Sequence, residues 1–314
     1  MKTYVKNFGK MVDALVDTEP LLHTAKLVRI ALFGWFFLHT LVLLPHAREF
    51  FSPESYMLRQ PIENGTWFDT LFRLFNDERI AAYYPLFIAA QLAALALGIA
   101  GYRVRLMTLL AWYLTLNLGQ ASYLALDGGH NLATLLLTYL LVVNTTGKPI
   151  ESARFPMLAR VARTVSNVAF FVARCQVVLV YATAATLKIQ GGLWQNGMAL
   201  YYILQSDSFS HPVLIDLMRS YPWLSLAGTY GALFFQWAFT FLIWNPRLRA
   251  PVMLAGVGLH LGIAFGMGLF TFGLMMCLSY LTWFPDAWSA AVFRKAPAAK
   301  ATEEYCEAEL CGLA

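Results

Sequence analysis

Lys188 combines a titratable amine with an apolar setting and could act as a base. It follows the apolar residues 177–187, and no acidic residue lies within a helical turn of it. An amine kept partly out of water can accept protons near neutral pH. A lysine at the end of a membrane helix can also simply extend its ammonium to the lipid headgroups. Both interpretations, catalytic base and interfacial anchor, fit this position.

The sequence around Lys188 favours a fixed position for its side chain. Tyr181 lies on the same helical face, and Gly191, Gly192 and Trp194 follow the lysine. A tight glycine turn with an interfacial tryptophan could hold the amine over a helix bundle instead of in bulk water. Tyr181 and Trp194 are therefore expected to support Lys188.

His130 is the second residue that could move protons. It follows Asp127, Gly128 and Gly129 in a loop too short to leave a membrane surface. Histidine titrates near neutrality and can therefore donate or accept a proton. A histidine that only caps the following helix fits this position equally well. Asn131, next in the chain, is a candidate for substrate binding.

Other polar side chains within apolar segments are expected to face a helix bundle, because polar groups are costly in lipid. Gln120 and His260 are supporting candidates, and His260 and His39 are predicted to be satisfied core histidines. The histidines lack paired helical spacing such as HxxxH, so no metal is expected. The sequence also lacks a Walker A loop, a dinucleotide glycine motif, a GxSxG motif and a CxxC motif.

The composition indicates what positions these side chains. Of the 314 residues, 59% are hydrophobic and 13% are charged, whereas soluble domains have about 45–50% apolar and about 25% charged residues. So few charges cannot cover a protein surface in water. The sequence therefore predicts an all-α integral membrane protein, with lipid as solvent for most of its surface.

Apolar length and the breaks at proline, glycine and charge predict about eight transmembrane helices. The last two could instead form one broken helix. The predicted spans cover residues 27–44, 81–100, 106–124, 131–146, 166–187, 223–244, 251–268 and 270–285.

Positive charge predicts the orientation of these spans. Lysines and arginines collect in the N-terminal segment, in every second loop and after the last span. Cytoplasmic segments carry this excess, so both termini are predicted to be cytoplasmic. The domain prediction is a cytoplasmic segment at 1–26, a transmembrane domain at 27–285 and a cytoplasmic tail at 286–314. The outer loops are then 45–80, 125–131 and 188–222.

Three stretches resemble one family, and they occur in the family's order. QVVLVYATAATLKIQGGLWQNGMALYYIL (176–204) resembles the lysine segment of the vitamin K-dependent gamma-carboxylases and of the wider horizontally transferred transmembrane (HTTM) domain family. LDGGHNLATLLL (126–137) resembles the family's short histidine loop. GLHLGIAFGMGLFTFGLMMCLSYLTWF (258–284) resembles its histidine-bearing helix and the helix after it.

The resemblance implies a chemistry for these residues. Lys188 would deprotonate a reduced quinone, of the vitamin K or menaquinol type, and His130 would handle the proton at the substrate carbanion. The hydroquinone anion would then react with dioxygen to give an alkoxide, a strong base that a dry membrane site protects from water. The resemblance also implies departures. The large lumenal portion of the eukaryotic enzymes has no counterpart here, and glycines 128 and 129 replace an asparagine pair. Small bacterial members of the sporulation-delaying-protein B type are closer in size.

Three functions follow as expectations. The first is a multi-pass enzyme of a bacterial plasma membrane. It would use a reduced quinone and oxygen to generate a strong base that modifies a secreted peptide or protein at the outer membrane face. The second is a non-catalytic membrane factor for maturation, export or immunity of such a peptide. The third is a transporter, which the absence of a visible inverted repeat disfavours. Lipid is an expected partner and nucleic acid is not.

Overall fold

The computed structural model of the chain describes residues 16–55, 71–122, 125–209 and 211–293, and all regular structure in these ranges is helical. Short 3₁₀ turns at Leu44–His46, Leu74–Asn76 and Tyr280–Trp283 accompany the α-helices. The α-helices are α1 (Leu22–Leu43), α2 (Ala47–Phe51), α3 (Glu78–Ala81), α4 (Tyr84–Ile99), α5 (Val104–Ala121), α6 (Gly128–Leu140), α7 (Pro156–Ile189), α8 (Gly192–Gln195), α9 (Ala199–Gln205), α10 (Pro212–Ser220), α11 (Trp223–Leu242), α12 (Arg249–Met267), α13 (Phe270–Ser279) and α14 (Asp286–Phe293).

Within the described ranges, three helical stretches are long and apolar enough to cross a membrane: Leu22–Phe51, Pro156–Ile189 and Arg249–Met267. Two shorter apolar stretches are Tyr84–Ile99 and Phe270–Trp283. The other predicted spans fall on α5, α6 and α11, which are helical but shorter or less apolar. The all-helical prediction is thus confirmed for the described residues, and a membrane-type composition is found in fewer helices than the predicted eight.

Hydrogen bonds gather alternate helix ends at one end of the bundle. The Arg29 guanidinium, in the first half of α1, donates to the Gly98 carbonyl of α4 and to the Thr145 carbonyl after α6. Arg174 of α7 donates to the Thr282 carbonyl beyond α13. We call this end the basic end, because Arg29 and Arg174 donate to backbone carbonyls at helix ends there. The opposite end contains His39 and His130 and is called the histidine end.

One side of α1 is apolar and packs closely against the core of the bundle. Leu32, Phe33, Trp35 and Phe36 are buried in the core together with residues of α4, α6 and α13. Gly98 of α4 allows the closest approach, since a Cβ there would collide with the Phe33 ring. α1 is therefore the element against which the site helices are positioned.

α12 and α13 are two separate helices that form an antiparallel hairpin. α12 ends at Gly268, whose φ of 72° lies in the left-handed region that glycine adopts easily. The Tyr280 ring then packs against Gly256, and the Gly273 backbone approaches the His260 carbonyl and Ala264. The chain thus reverses at residues 268–269. Residues 251–285 therefore contain two helices and not one broken helix.

Candidate functional site

The start of α6 fixes His130 at the histidine end. The Asp127 carboxylate accepts a hydrogen bond from the His130 backbone N–H at 2.9 Å and caps the helix. Its other oxygen accepts from the Thr271 hydroxyl at 2.6 Å. One side chain therefore joins the start of α6 to the start of α13.

Gly129 permits this junction to close. A Cβ on Gly129 would lie 2.8 Å from Cα of Phe272 and 3.2 Å from the Thr271 carbonyl oxygen. A Cβ on Gly128 would touch the Phe272 ring at 3.4 Å. A Cβ on Gly129 would therefore push the two helices apart, so packing requires a glycine at 129, whereas position 128 has room for a Cβ in ordinary contact.

His130 contacts a second histidine and two aromatic rings of α1. The ring centroids of His39 and His130 are 5.1 Å apart, and His39 stacks on Trp35 at 5.0 Å. Phe36 meets the His130 ring edge-on at 5.6 Å. His130 is buried and His39 is half-buried, so the pair connects the interior with the surface of the histidine end.

A small cavity of about 30 Å³ opens beside the two histidines. Gln91 also lines it and donates from its amide nitrogen to the Thr115 hydroxyl at 2.7 Å. The Oε1 atom of Gln91 and Nδ1 of His130 are buried and have no hydrogen-bond partner within the described residues. The rest of the cavity wall is mainly apolar and includes Phe36, Leu43, Phe51, Ile88 and Leu118.

Lys188 lies at the C-terminal end of α7, at the same end of the bundle. Its ammonium sits 5.3 Å from the centroid of the Trp194 ring and its side chain is half-buried. The Gly191 N–H donates to the Lys188 carbonyl at 2.9 Å, which makes the expected turn. Lys188 does not line the cavity beside His130. The two predicted residues thus share an end of the molecule but have different immediate neighbours.

Tyr181 and His260 meet in the core between α7 and α12. Their side chains share a hydrogen bond of 2.7 Å between the tyrosine oxygen and Nε2 of the histidine. Tyr181 is also hydrogen-bonded to the hydroxyl of Tyr280. The Nδ1 atom of His260 is buried without a partner in the described part of the chain. The phenyl ring of Phe272, 5.7 Å from His260, separates this cluster from glycines 128 and 129.

Two predicted supporting residues lie away from these clusters. The side chains of Gln120 and Asn131 are exposed and do not line the cavity, whereas their neighbours Gly119 and His130 do. Three contributors were not predicted for the site: His39, Gln91 and Tyr280. The sequence could have indicated His39, because the first predicted span ends on the same membrane face as the loop that carries His130.

The described helices and this site define an all-helical protein with membrane-type apolar helices and a buried histidine pair at one end. The curated proteins it resembles agree with that class. It is 26% identical over 214 residues to uncharacterized protein YitO of Bacillus subtilis strain 168. The aligned region covers 63% of this chain and 67% of YitO. It is 26% identical over 204 residues to sporulation-delaying protein SdpB of the same organism, which covers 63% of this chain and 61% of SdpB.

These similarities support a relationship with SdpB-type proteins and are consistent with a membrane protein. No family model matches the chain, and no solved structure matches it either.

Proposed function

We propose that the chain crosses the membrane eight times, with both termini in the cytoplasm. Eight helices occupy the eight predicted intervals, and their ends alternate between the basic end and the histidine end. Cytoplasmic segments are enriched in lysine and arginine. This rule assigns the basic end to the cytoplasm and the histidine end to the outer face, where a secreted peptide or protein would arrive.

We further propose that the histidine end is the active site of a membrane enzyme that moves protons. The observation that carries this proposal is the buried, unpartnered Nδ1 of His130, beside His39 in a cavity. His130 would exchange a proton with the substrate, and half-buried His39 would exchange it with water. Asp127 fixes the His130 backbone so that the ring stays against α1. Lys188 and Trp194 would contact the substrate at the rim of this end.

The reduced vitamin K or menaquinol-type quinone that the resemblance implies does not fit the packing as it stands. The polar atoms suit the hydroxyl groups of a quinol, because the acceptor Oε1 of Gln91 and Nδ1 of His130 have no partner within the described residues. The volume does not suit a quinol. The cavity of about 30 Å³ is much smaller than the cavity of about 150 Å³ that holds a benzene molecule. A quinone is therefore kept as a proposed co-reactant, and no step is derived through it.

The test is quinol-dependent turnover by the full chain in nanodiscs. Menaquinol or vitamin K hydroquinone is supplied with oxygen, and the epoxide is quantified. We expect His130→Gln to lower turnover by about 10²–10⁴-fold, the usual contribution of a general acid or base. Lys188→Ala is compared in the same assay. Gln120→Ala is the matched control, because its exposed side chain lies at the same end. Equal, measurable turnover in all variants contradicts proton transfer by His130. No turnover in wild type contradicts the quinone as co-reactant.

A second function is favoured by the similarity to sporulation-delaying protein SdpB and by the small size of the cavity. In this alternative, the chain is a non-catalytic membrane factor for maturation, export or immunity of a secreted peptide. It predicts that His130→Gln and Lys188→Ala leave the cellular phenotype unchanged, while other changes in the outer loops at 45–80 or 188–222 abolish it.

A further inference from the structure

Two arginines at the basic end enclose one tryptophan. The guanidinium carbons of Arg174 and Arg249 lie 5.2 Å and 5.6 Å from the centroid of the Trp283 ring. Arg174 donates through Nε to the Thr282 carbonyl at 2.7 Å, and Arg249 donates to the Trp283 carbonyl at 3.5 Å. Backbone carbonyls thus hold both cations in place without neutralising them.

This cluster has more positive charge and more donors than its neighbours satisfy. Within the described residues, neither Arg174 nor Arg249 forms an ion pair with a carboxylate. Each guanidinium has five N–H donors. Among the described residues, the hydrogen bonds use Nε of Arg174 and the Nε and Nη1 atoms of Arg249, so several donors are left. The Trp283 indole N–H is also buried and has no acceptor in the described ranges. An anionic group with several acceptor oxygens would satisfy these donors and offset the repulsion between the cations.

The surroundings of Arg174 suit a hydrocarbon chain. It lines a cavity of about 210 Å³ whose walls include Leu22, Ala25, Phe170 and Phe171. This volume exceeds the roughly 150 Å³ that holds a benzene molecule. Phe171, half of whose surface is exposed, packs beside Trp244 on the outside of the bundle.

The one carboxylate that lines this cavity is already engaged. Glu19 accepts hydrogen bonds from the Asn144 amide and from the Ile150 backbone N–H, both at 2.6 Å. It therefore stabilises the loop after α6 and does not pair with Arg174. The positive charge of the arginine pair remains available to a ligand.

We propose that Arg174, Arg249 and the Trp283 indole bind the phosphate of an anionic phospholipid, with an acyl chain in the cavity beside Arg174. Basic pockets between membrane helices on the cytoplasmic side bind such headgroups. The basic end has the charge and the apolar cavity that this ligand requires. The site is separate from the histidine end and its function goes beyond the enzyme activity proposed above.

The experiment measures which lipid the full chain retains. Wild type is incorporated into nanodiscs of equal parts phosphatidylglycerol and phosphatidylcholine, released into mild detergent, and its bound lipids are counted by native mass spectrometry. Incorporation itself tests the membrane proposal, separately from lipid preference. We expect wild type to retain phosphatidylglycerol preferentially. The pair Arg174→Gln and Arg249→Gln should lose about thirtyfold of that preference, from about 1 kcal/mol per arginine.

Controls separate the site from general charge. Arg247→Gln removes an exposed arginine at the same end and should leave the preference unchanged. The pair Arg174→Lys and Arg249→Lys keeps both charges and should retain much of it. Trp283→Phe keeps an aromatic ring but removes the indole N–H donor, so it should weaken the retention of phosphatidylglycerol. This variant tests the site even if the double glutamine variant does not fold.

Three results overturn the proposal. The first is that wild type shows no preference for phosphatidylglycerol. The second is that Arg247→Gln loses as much of the preference as the double glutamine variant does. The third result is full retention of phosphatidylglycerol by both Trp283→Phe and the double glutamine variant. A free-phosphate site is distinguished by adding inorganic phosphate to wild type in phosphatidylcholine nanodiscs. If inorganic phosphate alone raises the thermal midpoint as much as phosphatidylglycerol does, the lipid assignment is wrong.

Discussion

At the residue scale, Gly129 determines how closely α6 and α13 approach. An added Cβ would meet backbone atoms of Thr271 and Phe272 at 2.8–3.2 Å, and backbone cannot rotate away as a side chain can. We expect Gly129→Ala to lower stability by about 1–3 kcal/mol, the usual cost of overpacking. The measurement is thermal unfolding in detergent.

Gly34→Ala is the matched control for this prediction. Gly34 lies within α1 and has nothing within 4 Å of an added Cβ. Alanine in a helix interior is favoured over glycine by about 0.5–1 kcal/mol, so this variant should be as stable as wild type or more so. Equal destabilisation by both substitutions would show that the α6–α13 crossing is not tightly packed.

The sequence singled out candidate residues, whose roles stay predictions, but it did not give the residues that surround them. His130 and Lys188 were found because a titratable side chain in an apolar setting is conspicuous. Helical phase explains the misplacement of Gln120: successive residues point about 100° apart, so Gly119 faces His130 while Gln120 faces outward. The contact between His39 and His130 depends on how α1 and α6 pack, which no local pattern contains.

At the element scale, Asp286 attaches α14 to the beginning of α1. Its carboxylate accepts hydrogen bonds from the backbone N–H groups of His23 and Thr24 at 2.7 Å and 2.8 Å. It also contacts the His23 imidazole at 2.8 Å. A residue from the end of the described chain thus caps the first long helix, as a local N-cap does elsewhere.

We expect Asp286→Ala to destabilise the start of α1 by about 0.5–2 kcal/mol, the range measured for loss of a helix cap. Asp286→Asn should cost less, because the amide oxygen can still accept from the two N–H groups. Hydrogen exchange at residues 22–26 and 286–293 measures the effect. Unchanged exchange in Asp286→Ala would mean that other contacts hold α14 in place.

Element positions were predicted well and element ends less well. Each predicted span coincides with a helix, because long apolar segments between charged breaks have few alternatives. The fifth predicted span, 166–187, proved to be the C-terminal part of the 34-residue helix α7, which begins ten residues earlier, at Pro156. At about 1.5 Å per residue this helix is about 51 Å long, well beyond a hydrocarbon core of about 30 Å. The charged residues that ended the prediction at 166 are compatible with helix outside the lipid.

At the scale of the whole molecule, two observations support the proposed topology. The fold brings alternate helix ends together, and the charge distribution distinguishes the two ends of the bundle. Hydrogen bonds such as those of Arg29 place particular helix ends together, but a helix bundle alone has no inside or outside. The proposed sidedness rests on the excess of lysine and arginine at one end. The functional proposal depends on both, because a secreted substrate must meet His130 and an anionic cytoplasmic leaflet must meet Arg174.

Single cysteines introduced at the two ends test this orientation in intact cells. The native cysteines at 175, 277, 306 and 311 are first replaced by serine or alanine. We expect Gln120→Cys and Gln190→Cys to react with a membrane-impermeant thiol reagent, because these exposed positions lie at the histidine end. Tyr102→Cys and Pro149→Cys, exposed at the basic end, should react only after the membrane is permeabilised. If Gln120 and Gln190 were labelled from opposite sides, α6 and α7 could not both cross the membrane, and His130 and Lys188 could not act on one substrate.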